Sequence, residues 1–240
     1  MEKKHSDTIV LLGHTGSGKS ETCNSLAGHQ GLFKSSPDSE SCTQETTVQK
    51  VKWFGREDEN DLVIVDTPGM GDSQGGDSAH IAEMVDALKG KIKKLRAFLI
   101  VLNGQQPRLD SHLKAMLQLF TSIFSKRMWS NTMIVCTHWA YDEASALKRE
   151  SSKETEEERS ASVRAFLQKK FDLDVKVPVV FIDNMYEREE VARDATDAEM
   201  QRHRETLDAI QKFVGRCKNF DCQHIEKCLS EVDKLAEQKE

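Results

Sequence analysis

The chain has 240 residues with a formal net charge of −6, and 31 % of its residues are charged while 6 % are aromatic. This length supports one sizeable hydrophobic core, and the low aromatic content favours a helix-rich α/β protein over an all-β one. The net negative charge gives no general attraction to polyanions, so we expect no nucleic-acid partner and little attraction to an anionic membrane. No apolar run reaches the roughly 18 residues of a membrane-spanning helix, so membrane contact would need a segment outside this chain.

Six cysteines are present, and the first residues lack the features of a secretory signal. Cys136 lies within an apolar run, where a reduced thiol fills space in a core. We therefore expect a cytoplasmic protein.

Five apolar runs bounded by turns predict buried strands, and segments of helical periodicity separate them. These runs are Thr8–Leu12, Leu62–Asp66, Phe98–Leu102, Thr132–Cys136 and Val177–Ile182. Residues Val48–Phe54 alternate apolar and polar side chains instead, which is typical of an edge strand with one wet face. The pattern predicts an α/β fold with a mostly parallel six-stranded sheet between helices and one antiparallel strand.

The intervening segments predict five helices. They cover Ser20–Leu26, about 79–91, Ser111–Phe124, about 144–170 and Arg204–Cys217. The stretch 221–240 repeats apolar residues at helical spacing, so we expect one domain over 1–220 followed by an amphipathic helical extension.

The strongest motif lies directly after the first predicted strand and opens the first predicted helix. It fits G-x4-G-K-[ST] and consists of Gly13, His14, Thr15, Gly16, Ser17, Gly18, Lys19 and Ser20. The glycines let backbone N–H groups converge on phosphates, Lys19 reaches the β and γ oxygens, and the Ser20 hydroxyl can ligate Mg²⁺. We expect these eight residues, together with Glu21, to bind a nucleotide, and the fold to be of the P-loop NTPase (G domain) type.

A second motif, Asp66-Thr67-Pro68-Gly69, follows another predicted strand. The carboxyl ends of strands in open α/β sheets form ligand sites, so Asp66 is placed to hold Mg²⁺ through water and the Gly69 N–H to sense a γ-phosphate. A nucleotide switch also needs a hydroxyl on Mg²⁺ from the polar segment 28–47. The spacing does not select among the three candidates there, which are Thr43, Thr46 and Thr47.

The base-reading element is unusual. Guanine-specific switches carry Asn-Lys-x-Asp after a later buried strand. After the strand Thr132–Cys136 this chain instead has Thr137-His138-Trp139-Ala140, and it has no Asn-Lys-x-Asp anywhere. Phosphate motifs alone are nearly blind to the base, so an ATP-handling P-loop enzyme stays open at this point.

Taken together, the motifs resemble the GTPases of immunity-associated proteins (the GIMAP family), which share a septin-like branch of P-loop GTPases with the chloroplast-envelope import receptors. The matching segments are 13–20, 41–43, 66–73, 103–110, 137–138 and 183–184. The resemblance implies a guanine-nucleotide domain that dimerises through its nucleotide face when GTP is bound and hydrolyses GTP slowly, if at all.

The resemblance also assigns roles that spacing leaves open. Position by position, it makes Thr43 the switch hydroxyl on Mg²⁺ and Arg108 an arginine that reaches the phosphates of a partner, so both are candidate catalytic residues. Family members often have a glycine before this arginine, and Pro107 stands there in this chain.

Import-receptor relatives carry Thr-His in place of Asn-Lys, and an acidic-Asn pair after the last strand. This implies that His138 packs against the purine and that Asp183 accepts from the guanine N1–H and N2–H₂, with Asn184 as a lesser candidate. Such pairing discriminates strongly, because the wrong base leaves buried polar groups unpaired. Asp142 is a competing carboxylate a few residues beyond His138.

The expected function is a Mg²⁺-dependent GTP/GDP switch with slow GTPase activity and a GTP-dependent homodimer or oligomer. Met70 follows Gly69, and an apolar side chain cannot orient a hydrolytic water as the glutamine of Ras-type enzymes does. Two alternatives are a nucleotide-locked, septin-like scaffold with negligible turnover and the ATP-handling enzyme.

Overall fold

The computed structural model of the chain describes residues 6–35, 45–70, 77–92, 95–106 and 111–222. Within these ranges the strands are β1 (Ser6–Gly13), β2 (Thr47–Lys52), β3 (Asp61–Asp66), β4 (Ala97–Asn103), β5 (Thr132–Thr137) and β6 (Val179–Phe181). They form one six-stranded sheet in the order β2-β3-β1-β4-β5-β6. All neighbours pair in parallel except β2 and β3, so the predicted α/β fold with one antiparallel edge strand is confirmed.

Seven α-helices lie in the same described residues. They are α1 (Lys19–Ala27), α2 (Asp77–Lys91), α3 (Ser111–Phe124), α4 (Glu143–Ser151), α5 (Glu156–Phe171), α6 (Glu189–Asp194) and α7 (Asp197–Arg216). Because side chains alternate across a strand, β1 contributes to a core on each face of the sheet. Val10 and Leu12 pack with side chains of α2, α3 and α5, while Ile9 and Leu11 pack with α1 and α7.

The charged segment predicted as one helix over 144–170 is two helices, so that prediction was wrong. α4 ends at Ser151, and Lys153 has a left-handed backbone with φ of 55°. Thr155 then starts α5 with a capping box, in which its hydroxyl accepts the Glu158 N–H and the Glu158 side chain accepts the Thr155 N–H. The signal was present as T-E-E-E, and the high helix propensity of the flanking residues hid it.

The last helix begins earlier than its predicted start at Arg204, for a similar reason. Thr196 and Glu199 form a second capping box, which sets the start of α7 at Asp197. The short helix α6 was not predicted.

After α7 the chain passes to the amino-end edge of the sheet. The Phe220 N–H donates to the Leu95 carbonyl at 2.6 Å, just before β4 begins, and the Phe220 ring packs edge-on against Phe98. The Asn131 side-chain amide, just before β5, also holds this segment by donating to the Lys218 carbonyl at 2.6 Å. The predicted extension beyond residue 222 lies outside the described residues, and no helix in the described part of the chain has the length and apolarity to cross a membrane.

We expect Thr155→Ala to lower the free energy of unfolding by about 1 kcal/mol, because the first turn of α5 loses the acceptor for the Glu158 N–H. Urea denaturation followed by circular dichroism measures the loss. Ser162→Ala is the matched control, since Ser162 is exposed in the same helix. Equal losses in the two variants would contradict the capping role.

Candidate functional site

The phosphate loop connects β1 to α1 at the carboxyl edge of the sheet. Lys19 is only 6 % exposed, and its Nζ donates to the carbonyls of Gly13 at 3.2 Å and His14 at 2.9 Å. Gly18 precedes the helix with φ of 83°, a left-handed conformation that glycine adopts without steric cost. The loop residues thus follow the strand-loop-helix path that a phosphate cradle requires.

Asp66 ends β3 beside this loop and is 1 % exposed. The Ser20 hydroxyl donates to Asp66 Oδ2 at 2.6 Å, while Oδ1 has no hydrogen-bond partner among the described residues. Burial raises the pKa of Asp66, and the Ser20 hydroxyl and the Lys19 charge oppose that rise. A hydroxyl and a carboxylate oxygen are the hard ligands that Mg²⁺ takes from proteins, so these residues fit the ion.

The segment after β3 lies directly on the phosphate loop. The Met70 N–H donates to the Gly13 carbonyl at 3.3 Å, and Met70 forms a parallel bridge with His14. A Cβ at Gly69 would lie 2.1 Å from Thr15 Oγ1 and 2.5 Å from Thr15 Cα, which is far inside van der Waals contact. Glycine is therefore needed at residue 69 for the close approach of the two backbones.

His138 is held against the phosphate loop by Thr137. The fully buried Thr137 hydroxyl donates to the Ser17 carbonyl at 2.7 Å, and its oxygen lies 2.9 Å from His138 Nδ1. The His138 backbone is left-handed, with φ of 54°. A Cβ at Gly18 would lie 3.3 Å from His138 Cε1, so the exposed imidazole sits beside the backbone where α1 begins.

Trp139 and Asp142, the neighbours of His138, have structural roles. Trp139 is 4 % exposed, and its ring packs on Phe181 and lies under the guanidinium of Arg149, 4.5 Å from the ring centre. Asp142 is the N-cap of α4 and accepts the Ser145 N–H at 2.9 Å, an interaction that lowers the pKa of Asp142.

Asp183 lies at the strand end next to His138, because the Trp139 N–H donates to the Ile182 carbonyl at 3.3 Å. The half-buried Asp183 accepts the Met185 N–H through Oδ1 at 3.0 Å, and its own N–H donates to the Tyr141 hydroxyl at 3.3 Å. The two predicted base-reading residues therefore occupy neighbouring loops.

The Asn184 amide contacts α1: its Oδ1 accepts from the Ser25 hydroxyl and its Nδ2 donates to Thr22 Oγ1, both at 3.0 Å. Sequence reasoning missed Thr22 and Ser25 as parts of the site. Their spacing of three residues, one turn after the phosphate loop, was the available signal, since it places both on one face of α1.

Glu21 contacts protein groups, accepting from the Ser35 hydroxyl at 2.7 Å and from Arg188 at 3.4 Å. The backbone N–H of Thr46, one of the three residues whose hydroxyl could ligate Mg²⁺, donates to Glu83 Oε1 at 2.6 Å. The two predicted catalytic residues, Thr43 and Arg108, lie outside the described residues.

Comparison with known proteins decides the family. A model of the AIG1 family matches residues 7–169. The chain belongs to the AIG1 family. It is also 34 % identical over 134 residues to GTP-binding protein A of Dictyostelium discoideum, an alignment that covers 54 % of this chain and 27 % of that protein. The AIG1 chain therefore spans about a quarter of the length of this relative.

Solved structures of Toc33 from Arabidopsis thaliana share the fold. The structure in complex with Mg²⁺ and GMPPNP is 25 % identical, with a TM-score of 0.63, and the match covers 90 % of the AIG1 chain and 88 % of Toc33. A further solved structure, from work on the chloroplast translocon components atToc33 and psToc159, is 22 % identical with a TM-score of 0.60, and the match covers 90 % of this chain and 86 % of that one. Dimerisation is important for the GTPase activity of those two components. The predicted GTP-binding fold of the branch that includes the import receptors is confirmed.

We expect Gly69→Ala to weaken guanine-nucleotide binding by at least about tenfold, because its Cβ forces the segment after β3 away from Thr15. Anisotropy of a fluorescent guanine nucleotide measures the affinity. Gly215→Ala in α7 is the control, since nothing lies within 4 Å of the added Cβ. Unchanged affinity in Gly69→Ala would contradict the close approach.

Proposed function

We propose that this AIG1 chain is a Mg²⁺-dependent guanine-nucleotide switch that hydrolyses GTP slowly and self-associates through its nucleotide face in the GTP form. The observation that carries the proposal is the 2.6 Å hydrogen bond from the Ser20 hydroxyl to the buried Asp66 carboxylate, next to the buried Lys19 of the phosphate loop. The Ser20 hydroxyl would hold Mg²⁺, and Asp66, whose buried Oδ1 has no hydrogen-bond partner among the described residues, would hold the ion through water. When bound, the ion would supply positive charge that offsets the charge of the phosphates.

Guanine selectivity rests on the adjacency of two loops. His138 lies beside Gly18. Asp183 directly follows Ile182, and the Ile182 carbonyl accepts the Trp139 N–H. An imidazole can pack against a purine, and a carboxylate can accept from guanine N1–H and N2–H₂, groups that adenine lacks. ATP would leave the carboxylate facing an acceptor nitrogen, so binding of the two bases should differ strongly.

Slow hydrolysis is supported by Met70. This side chain is 2 % exposed and packs in the core, and its N–H is bonded to the Gly13 carbonyl. A buried thioether offers no hydrogen-bond donor or strong acceptor with which to orient an attacking water. The chain itself thus supplies phosphate binding and charge, and a second protomer would supply further transition-state stabilisation through Arg108.

The direct test is an equilibrium titration of the purified chain with fluorescent GTP in Mg²⁺, competed by unlabelled GTP, GDP and ATP. We expect GTP and GDP to compete and ATP not to. Lys19→Ala should weaken GTP binding by about ten- to a hundredfold, because a charge-assisted contact to the phosphates is lost. Lys169→Ala, an exposed change in α5, is the matched control.

Equal competition by ATP would overturn the guanine assignment and favour an ATP-handling enzyme. Unchanged GTP affinity in Lys19→Ala, with an unaltered circular dichroism spectrum, would contradict phosphate binding by the loop that contains Lys19.

The role of Arg108 has its own test. If Arg108 acts across a dimer, GTP hydrolysis per molecule should rise with protein concentration in the wild-type chain and stay flat in Arg108→Ala. Arg127→Ala removes an exposed arginine and should behave as wild type. A flat wild-type curve would count against the dimer, whereas linear assemblies that persist with GTP and ignore Arg108→Ala would favour the nucleotide-locked scaffold.

A further inference from the structure

Two buried hydroxyls and the half-buried Asn184 amide connect the phosphate end of the site to the proposed base-reading loop. Thr22 and Ser25 lie on one face of α1 and are 0 % and 1 % exposed. Both hydroxyls contact the amide of Asn184, which belongs to the loop after β6. We call these three residues the α1 bridge.

The two hydroxyls of the α1 bridge each contact a backbone carbonyl as well as the Asn184 amide. Thr22 donates to the Gly18 carbonyl at 2.9 Å and accepts from Asn184 Nδ2 at 3.0 Å. The single Ser25 proton has two acceptors, Asn184 Oδ1 at 3.0 Å and the Glu21 carbonyl at 3.2 Å, and the shorter contact is the one to Asn184. The result is an ordered chain from Asn184 through Thr22 to the Gly18 carbonyl, at the end of the phosphate loop.

Further contacts fix the same loop on α1 and on the turn that follows it. Arg188 pairs with Glu21 at 3.4 Å, and the Gln30 side chain donates to the Glu187 carbonyl. These contacts are exposed and contribute little on their own. The two hydroxyls of the α1 bridge are buried, where a hydroxyl left without its partner is costly.

The two hydroxyls are too deeply buried to contact a ligand themselves. What they fix is the position of Asn184, and Asp183 is its covalent neighbour. A carboxylate accepts from guanine only within hydrogen-bond distance, roughly 2.7–3.2 Å from the donor nitrogens, so a loop that moves loses the interaction. Lys19, which would bind the phosphates, is the first residue of α1, and its Nζ donates to the Gly13 and His14 carbonyls. We therefore expect phosphate binding to depend less on the loop after β6 than base selection does.

We propose that Thr22 and Ser25 are positioning residues for purine selection, which act by holding Asn184 and therefore the base-reading Asp183 at a fixed place relative to the phosphate loop. This inference rests on the proposed guanine function and deepens it: selectivity for the base depends on two hydroxyls of the phosphate-loop helix. In this arrangement Asn184 links the neighbouring Asp183 to α1 through its hydrogen bonds with Thr22 and Ser25.

The experiment measures GTP and ATP affinities of the full chain by competition against a fluorescent triphosphate in Mg²⁺. The variants are Ser25→Ala, Thr22→Val, Thr22→Ser and Asn184→Ala, with Asp183→Ala marking complete loss of base reading. Thr132→Val is the matched control, because Thr132 is fully buried and makes one hydroxyl bond, to the Met128 carbonyl at the opposite edge of the sheet.

We expect Ser25→Ala, Thr22→Val and Asn184→Ala each to reduce the ratio of ATP to GTP dissociation constants by about tenfold, with ATP affinity changed by less than about twofold. Thr22→Ser keeps the hydroxyl and should keep the ratio. The double variant Ser25→Ala/Asn184→Ala should lose no more than Asn184→Ala alone, because both remove the same interaction.

Unchanged selectivity in Ser25→Ala and Thr22→Val, with loss in Asn184→Ala, would overturn the inference and make Asn184 a direct base contact. Parallel weakening of GTP and ATP would also overturn it, since that pattern indicates general support of the fold. A wild-type chain that binds GTP and ATP alike would overturn the proposed function itself, and is distinguished from the other outcomes by the wild-type titration alone.

Discussion

Two opposite charges are buried side by side at the carboxyl edge of the sheet, and the nucleotide site depends on how they are satisfied. Lys19 is 6 % and Asp66 1 % exposed, a degree of burial that charged groups tolerate only when paired or hydrogen-bonded. Lys19 donates to two carbonyls of the phosphate loop, and Asp66 accepts a hydrogen bond from the Ser20 hydroxyl. Satisfying these charges fixes the path of the loop between β1 and α1, and with it the phosphate cradle.

The helix that follows this loop is a common frame for the whole site. The first residue of α1 is Lys19, which is proposed to bind phosphate. The next turn contacts Asn184 of the loop proposed to read the base, and the glycine before the helix lies beside His138. A helix of nine residues would thus keep the proposed phosphate and base contacts at a constant separation. Selective binding of a whole nucleotide requires a fixed separation between these groups. The phosphates and the base can then reach their binding groups at the same time.

Short-range patterns in the sequence were enough to predict the sheet and the phosphate loop. The motif at 13–20 lies within eight residues and is placed by the flanking strand and helix. The contacts of Asn184 with Thr22 and Ser25 join residues 162 and 159 positions apart, so no local pattern reveals them. The break before Thr155 was hidden differently, because residues on both sides favour helix and only the capping box marks the boundary.

The return of the chain to the amino-end edge of the sheet has a geometric consequence. Phe220 pairs with Leu95 at the start of β4, whereas the phosphate loop begins where β1 ends, at the other edge. The last described residues therefore lie at the edge of the sheet opposite the phosphate loop. The segment between α7 and residue 222 thus leaves the phosphate-loop edge uncovered.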